Sequence, residues 1–367
     1  MNRIEFISRG LALSAGAASG LAFAGSRPPR RHPLYFDGMS FLGGTEEDPR
    51  DSGLSGVLWD VSAGERVGDE FVRTAPASLK SLAAAGRFLR REPQRLFLAT
   101  KGSQVRAAYR SGGIAVFLQL QGGGEALSQD LGMMEVFYEL GMRVLQLTHH
   151  RDNALAGGCL EREPKGLSGL GREAVERMNA LGIIPDAAHG SERTGLDLAA
   201  ASRRPVIVSH TGCRALVDSA RCTPDSVIRA VADSGGVVGI FSMSCWLTEE
   251  AVPTVGSYVR QLEHVIRVGG IEAVGIANDF DIAGDVEIAA TNNDNEKAVK
   301  EMFPWWQRQR GLPGFDQMPR HVVIPELNDI RRLFTIQAAL EKLGYRAAQV
   351  EKIMGGNWLR VYTECLG

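Results

Sequence analysis

Short apolar runs alternate with amphipathic stretches along most of this chain, and that rhythm leaves few folds open. The runs cover residues 34–37, 56–61, 114–120, 144–148, 183–186, 206–209, 237–241 and 273–277. Each is mainly apolar without strict alternation, as expected of strands covered on both faces. Helix-like segments lie between them at 75–91, 133–140, 171–181, 226–234 and 258–268. Strands joined by helical crossovers make a parallel sheet, and eight of them close into a (β/α)8 TIM barrel of the α/β class. A further apolar piece at 96–99 leaves the strand count at eight or nine. Residues 291–325 carry Asn292-Asn293-Asp294-Asn295, Trp305-Trp306, Gly311 and Pro313, and read as a long loop after the last strand. Two helices, at 327–343 and 346–354, are expected to close the chain, with Gly344 stopping the first.

Most of the chemically informative residues follow strands. His149 and His150 come after 144–148, His189 after 183–186, His210 after 206–209 and Asp279 after 273–277. The carboxyl ends of barrel strands surround one mouth, so these side chains are expected to share a site. Imidazoles and a carboxylate there suit a divalent metal or proton transfer. A lone histidine is more often a packing residue, but four of the seven histidines sit at strand ends. His264 falls within a helical stretch and reads as structural. Arg221 reads either as a site residue or as a surface charge.

Residues 1–25 read as an export signal, with Arg3 and Arg9 before a small-residue run and Ala22-Phe23-Ala24 as a cleavage site. Asn2-Arg3-Ile4 resembles a twin-arginine signal with one arginine replaced. A periplasmic or extracellular protein is expected, with one barrel domain over 32–367 and no transmembrane segment in the mature chain. Five cysteines include Cys213 and Cys222, the nearest pair able to form a disulfide. A net charge of −2 and the lack of a basic stripe argue against a nucleic-acid partner.

Motif order adds a resemblance to the membrane (renal) dipeptidase family of zinc hydrolases. Its strings are Asp37-Gly38, Gln121-Gly122-Gly123, Leu147-Thr148-His149, Gly171-Arg172-Glu173, Asp186-Ala187-Ala188-His189 and Ser209-His210. Arg221 with Pro224-Asp225, Val274-Gly275-Ile276-Ala277-Asn278-Asp279-Phe280-Asp281 and Gly355-Gly356-Asn357-Trp358 complete it. The resemblance implies a (β/α)8 barrel with two zinc ions at its mouth, and a homodimer by family analogy. It implies that His189 and His210 are ligands of one metal and that His149 contacts substrate. Arg221 would receive a dipeptide's carboxylate, and Asp279 would be the catalytic acid/base.

Three implied ligand positions are vacated. A His-x-Asp pair is replaced by Met39 and Phe41, and the glutamate that would bridge two metals is Gln121. A thioether suits soft metals, a phenyl ring coordinates nothing, and an amide carries no charge. No dinuclear zinc is therefore expected. The cofactor expectation is at most one divalent metal, zinc first, on His189 and His210, with Asp279 and His150 as further donors. A metal lowers the pKa of bound water from about 15.7 to about 7, worth on the order of 12 kcal/mol at neutral pH. A general base alone gives about 10²–10⁴-fold. The expected function is a membrane-dipeptidase-like metallohydrolase of dipeptides or related small amides, with activity altered or lost. The alternative is a non-hydrolytic, peptide- or metabolite-binding accessory protein, with Trp246, Trp305 and Trp306 lining its pocket.

Overall fold

The computed structural model describes residues 32–42, 47–67, 70–91, 93–313, 315 and 317–367. The expected export signal at 1–25 and the side chain of Trp305 lie outside the described residues. The barrel strands are β1 (Tyr35–Ser40), β2 (Leu54–Asp60), β3 (Ile114–Leu120), β4 (Met142–Gln146), β5 (Ile184–Asp186), β6 (Val208–Thr211), β7 (Val238–Ile240) and β8 (Val274–Ile276). Parallel ladders join β1 to β5 in chain order, and β6 to β8 likewise. Two parallel bridges complete the ring, Asp186 with Ile207 and Phe41 with Asp281. The eight expected runs thus become the eight staves of a (β/α)8 barrel.

The ninth apolar run is also a strand. Leu96–Leu98 pairs with the first residues of β3, on the side that β4 occupies from Leu118 onward. It widens the sheet only at the end away from the mouth.

Local chemistry sets the helix boundaries. Thr74 accepts a hydrogen bond from the Ala77 amide and starts Ala75–Leu89. The helix expected at 258–268 begins earlier, at Val255, because Thr254 and Ser257 form a reciprocal capping box. The stretch expected to be loop at 291–325 contains the helix Asn295–Gln309. The Asp294 carboxylate caps it by accepting from the Glu296 and Lys297 amides. The helix expected at 327–343 starts only at Arg332. Asn328 holds the preceding turn open, donating to the Asp285 carbonyl at 3.1 Å and accepting from the Asp285 amide at 2.6 Å.

The chain closes with one more helix than expected. Ala347–Glu351 runs through a π-turn, Lys352–Gly356, into Asn357–Leu366. This last helix fills the barrel floor. The indole of Trp358 is fully buried and donates to the Ile276 carbonyl at 3.0 Å. Phe36 lies beside it with ring centroids 6.0 Å apart, and Phe117 meets Tyr362 edge-on at 4.5 Å. Gly38, Gly239 and Gly275 make room for the indole: a Cβ there would come within 2.4, 2.9 and 2.4 Å of it. With its floor packed, the barrel offers its opposite end for chemistry. Among the described residues, no helix is long and apolar enough to cross a membrane.

Candidate active site at the barrel mouth

Strands β4, β5 and β6 deliver four histidines to one side of the mouth. The His149 and His189 rings stack with centroids 4.3 Å apart. His150 lies 4.2 Å from His149 and 4.9 Å from His189, and His210 lies 5.0 Å from His189. His150, His189 and His210 are buried and His149 is half-buried. His189 holds φ at +61°, and Asp279 at +63°. For non-glycine residues this left-handed backbone costs about 1–3 kcal/mol and clusters at functional sites.

The hydrogen bonds fix the imidazole protons. Asp186 accepts from the Ser209 hydroxyl at 2.5 Å, from Gln119 Nε2 at 2.5 Å, and from the Ala188 and Ser209 amides at 3.0 and 2.9 Å. Because Ser209 spends its only hydroxyl proton on Asp186, its 2.7 Å bond to His210 must be donated by the ring Nδ1–H. His210 Nε2 is then a bare lone pair. It faces His189 Nε2 at 2.9 Å, so His189 carries its proton on Nε2. His189 Nδ1 is left as a buried lone pair without a hydrogen-bond partner. Burial, first, and then the neighbouring Arg221 hold His189 and His210 well below the usual imidazole pKa; for His149 burial leads and His150 and Arg73 follow. Neutral rings with available lone pairs are what a metal requires.

Arg221 is not a surface charge. It is 3% exposed, and both terminal nitrogens lie 3.5 Å from the His210 carbonyl. Its guanidinium sits over Phe241 at 5.0 Å and Trp246 at 5.8 Å. Among the described residues no carboxylate pairs with it. Trp246 and Trp306 stack at 6.1 Å, and Phe315 packs on Trp306 at 4.5 Å, so two of the three singled-out tryptophans build an aromatic wall beside the arginine.

The β1 side of the mouth is different. Gln121 Nε2 contacts Met39 Sδ at 3.7 Å, and Met39 is fully buried. Phe41 is tied into the barrel seam, with its amide on the Phe280 carbonyl at 3.0 Å. Asp279 follows β8, its amide donating to the Met39 carbonyl at 2.9 Å. A pair of zinc ions needs carboxylates between them, and Met39, Phe41 and Gln121 supply none. Met39, Phe41 and Gln121 do not fit a dinuclear centre, whereas the ring nitrogens of His149, His150 and His189 lie within 4.8 Å of one another and could hold a metal ion. Asp60, at the end of β2, accepts from the Gln121 amide at 3.2 Å and from the Ser62 amide and hydroxyl at 3.0 and 2.5 Å. Sequence reading missed Asp60 because its strand has no histidine to mark it.

His264 is structural, bonded to Asp225 at 2.7 Å. All five cysteines are thiols, including Cys213, whose sulfur donates to the Gln261 carbonyl at 3.7 Å, and Cys222, which turns to the Trp246 carbonyl at 3.4 Å. Asn278 shapes the turn around Asp279 by donating to Ser40 Oγ at 3.2 Å and to the Phe280 and Asp281 carbonyls at 3.1 and 3.0 Å.

Asp281 adds a pH response. Burial and the nearby Asp285 push its carboxyl up to about 7, against a pull from Arg332. An acid whose folded pKa lies above its unfolded value near 4 stabilises the fold when protonated. That stability is full below about pH 4 and is lost as pH rises toward 7, a change on the order of a few kcal/mol. Asp281→Asn is expected to shrink the difference between urea midpoints at pH 5 and pH 8. An unchanged difference would remove Asp281 from this role.

A (β/α)8 barrel whose mouth gathers histidines and a buried arginine defines the metallo-dependent-hydrolase type. Residues 49–298 match the family model described as membrane dipeptidase, peptidase family M19, a family of metal-dependent dipeptidases, and the chain belongs to it. It is 30% identical over 275 residues to dipeptidase tcpJ of Claviceps purpurea, covering 74% of this chain and 55% of that protein. The chain thus spans little more than half the length of that relative. An amidohydrolase from Pseudomonas aeruginosa superposes with a TM-score of 0.75 at 25% identity, covering 91% of this chain and 97% of the other. A metallopeptidase from Rhodobacter sphaeroides, solved with a phosphinate mimic of the dipeptide L-Ala-D-Ala, has a TM-score of 0.71 at 21% identity, covering 91% and 99%.

Proposed function

We propose that this chain acts on small, carboxylate-bearing amides of the dipeptide type and works with one metal ion instead of two. The observation that carries the reading is Arg221, a buried guanidinium without a carboxylate among the described residues, set between an aromatic wall and the histidines. A planar, permanently charged fork held away from water suits a ligand carboxylate in bidentate contact. The site is apolar behind that contact, so Trp246 and Phe241 would cover the ligand's body and exclude water. Asp279, which follows β8, would pass a proton to a departing amine. A single zinc on the histidines would supply acidified water when bound. Membership of the dipeptidase family and the dipeptide mimic held by the Rhodobacter relative support the substrate class.

Calorimetric titration with a dipeptide and with its C-terminal amide tests the reading. Arg221→Ala is expected to weaken dipeptide binding about 10- to 100-fold, the worth of charge-assisted hydrogen bonds, and to leave the amide unaffected. Equal binding of dipeptide by parent and variant would overturn the assignment.

A second reading rests on the buried Met39–Gln121 contact. The β1 side of the mouth is closed to metal, and the protein would hold a peptide or peptide-derived metabolite without cleaving it. Arg221-dependent binding with no turnover at any zinc concentration would favour this accessory role over hydrolysis.

A further inference from the structure

The histidine that the family resemblance leaves unassigned is His150, and its position gives the metal a different seat. His149, His150 and His189 each offer one ring nitrogen, and these atoms all lie within 4.8 Å of one another. Four-coordinate zinc binds imidazole at about 2.0–2.1 Å, so three ring nitrogens around one ion stand roughly 3.4 Å apart. Small rotations of the His149 and His150 rings would bring this group to that spacing.

The orphan atom points the same way. His189 spends Nε2 on His210, and its Nδ1 is a buried lone pair with nothing to accept. Leaving a buried acceptor unsatisfied costs about 1–3 kcal/mol. The His210 ring is locked by Ser209 and, through it, Asp186, which holds its Nε2 on His189. A cation beside His149 and His150 would use the orphaned Nδ1 without disturbing that pair. The three rings are buried or half-buried, and the ligand group contains no carboxylate.

We infer that His149, His150 and His189, the last through Nδ1, form a trihistidine site for one divalent cation of zinc or cobalt type, shifted from the His189–His210 pair toward β4. This rests on the one-metal reading above and deepens it. His149 then acts as a ligand and gives up the substrate contact that the resemblance implies. A three-nitrogen shell leaves a fourth position open to water or ligand, as in catalytic zinc sites. The neighbouring Arg221 disfavours extra positive charge, so the site takes one cation and not two.

Titration of chelator-treated protein with cobalt(II), followed by visible absorption, tests the assignment. The parent is expected to take up one equivalent with an intense tetrahedral or five-coordinate spectrum. His150→Ala and the bulkier His150→Gln should each weaken cobalt binding at least about 10-fold, while His210→Ala changes it by less than about 3-fold. If His210→Ala abolishes binding and both His150 variants match the parent, the ion sits on the His189–His210 pair. The trihistidine site is then wrong and the one-metal reading survives. If the parent binds no cobalt, both fail, and dipeptide binding at Arg221 alone remains to be judged by calorimetry. Urea midpoints with and without cobalt identify any variant that has simply lost its fold, since a bound ligand raises the midpoint only of a folded site.

Discussion

Arg332→Ala is expected to lower stability by about 3–5 kcal/mol, the usual penalty for breaking a buried ion pair from one side. Arg332 is fully buried and its Nη2 lies 2.7 Å from Asp37 Oδ2, which is also fully buried. The same side chain donates to the Ile282 carbonyl at 2.6 Å and to Ser40 Oγ at 3.1 Å. It thereby joins β1, the loop after β8 and a closing helix at the seam of the barrel. Burial pushes the Asp37 carboxyl up, and the guanidinium, the Met39 amide and the Ser40 hydroxyl oppose it. Removing the guanidinium leaves that carboxyl without its cation. Replacing both partners, as Asp37→Asn with Arg332→Met, should recover much of the loss, because a paired desolvation penalty disappears with the pair. Urea unfolding of the three variants gives the comparison. A cost below about 1 kcal/mol for Arg332→Ala would show that the seam is held by other contacts.

The second large effect concerns metal. Met39→His, Phe41→Asp and Gln121→Glu together are expected to raise tightly held zinc from at most one equivalent to two. Met39 Sδ and Gln121 Nε2 are already 3.7 Å apart, so the side chains at these positions face each other. Met39 and Phe41, two residues apart at the end of β1, supply the spacing of a His-x-Asp pair. The backbone there is fixed independently of the side chains, with the Met39 carbonyl accepting from the Asn278 and Asp279 amides at 3.1 and 2.9 Å. Two added carboxylates would offset the repulsion between adjacent cations, which grows steeply at low dielectric. Elemental analysis after dialysis reads the result. A triple variant holding no more zinc than the parent would mean that these positions do not face a metal.

The barrel was legible because both faces of each strand are covered. Short, mainly apolar runs alternating with amphipathic helical stretches suit buried parallel strands. The histidines were legible for a related reason: strand ends in a barrel share one mouth, so placing the strands also placed His149, His189 and His210. What escaped was set by contacts far apart in sequence. The ion pair of Asp37 with Arg332 spans 295 positions, and no local pattern marks it. The helix Asn295–Gln309 was hidden by flanking asparagines, although Asp294 before Glu296 and Lys297 is a capping signal. Which nitrogen of His189 carries the proton depends on Ser209 and Asp186, and only the assembled hydrogen bonds decide that.

Trp358 gives the molecule an order of assembly. Its indole occupies space cleared by Gly38, Gly239 and Gly275, which belong to strands made much earlier. A growing chain on the ribosome therefore carries a hollow between its staves until the helix Asn357–Leu366 emerges. Contacts of such sequence separation form slowly, and incompletely packed intermediates expose apolar surface in the meantime. A nascent chain paused short of this tryptophan would be a natural client for a chaperone.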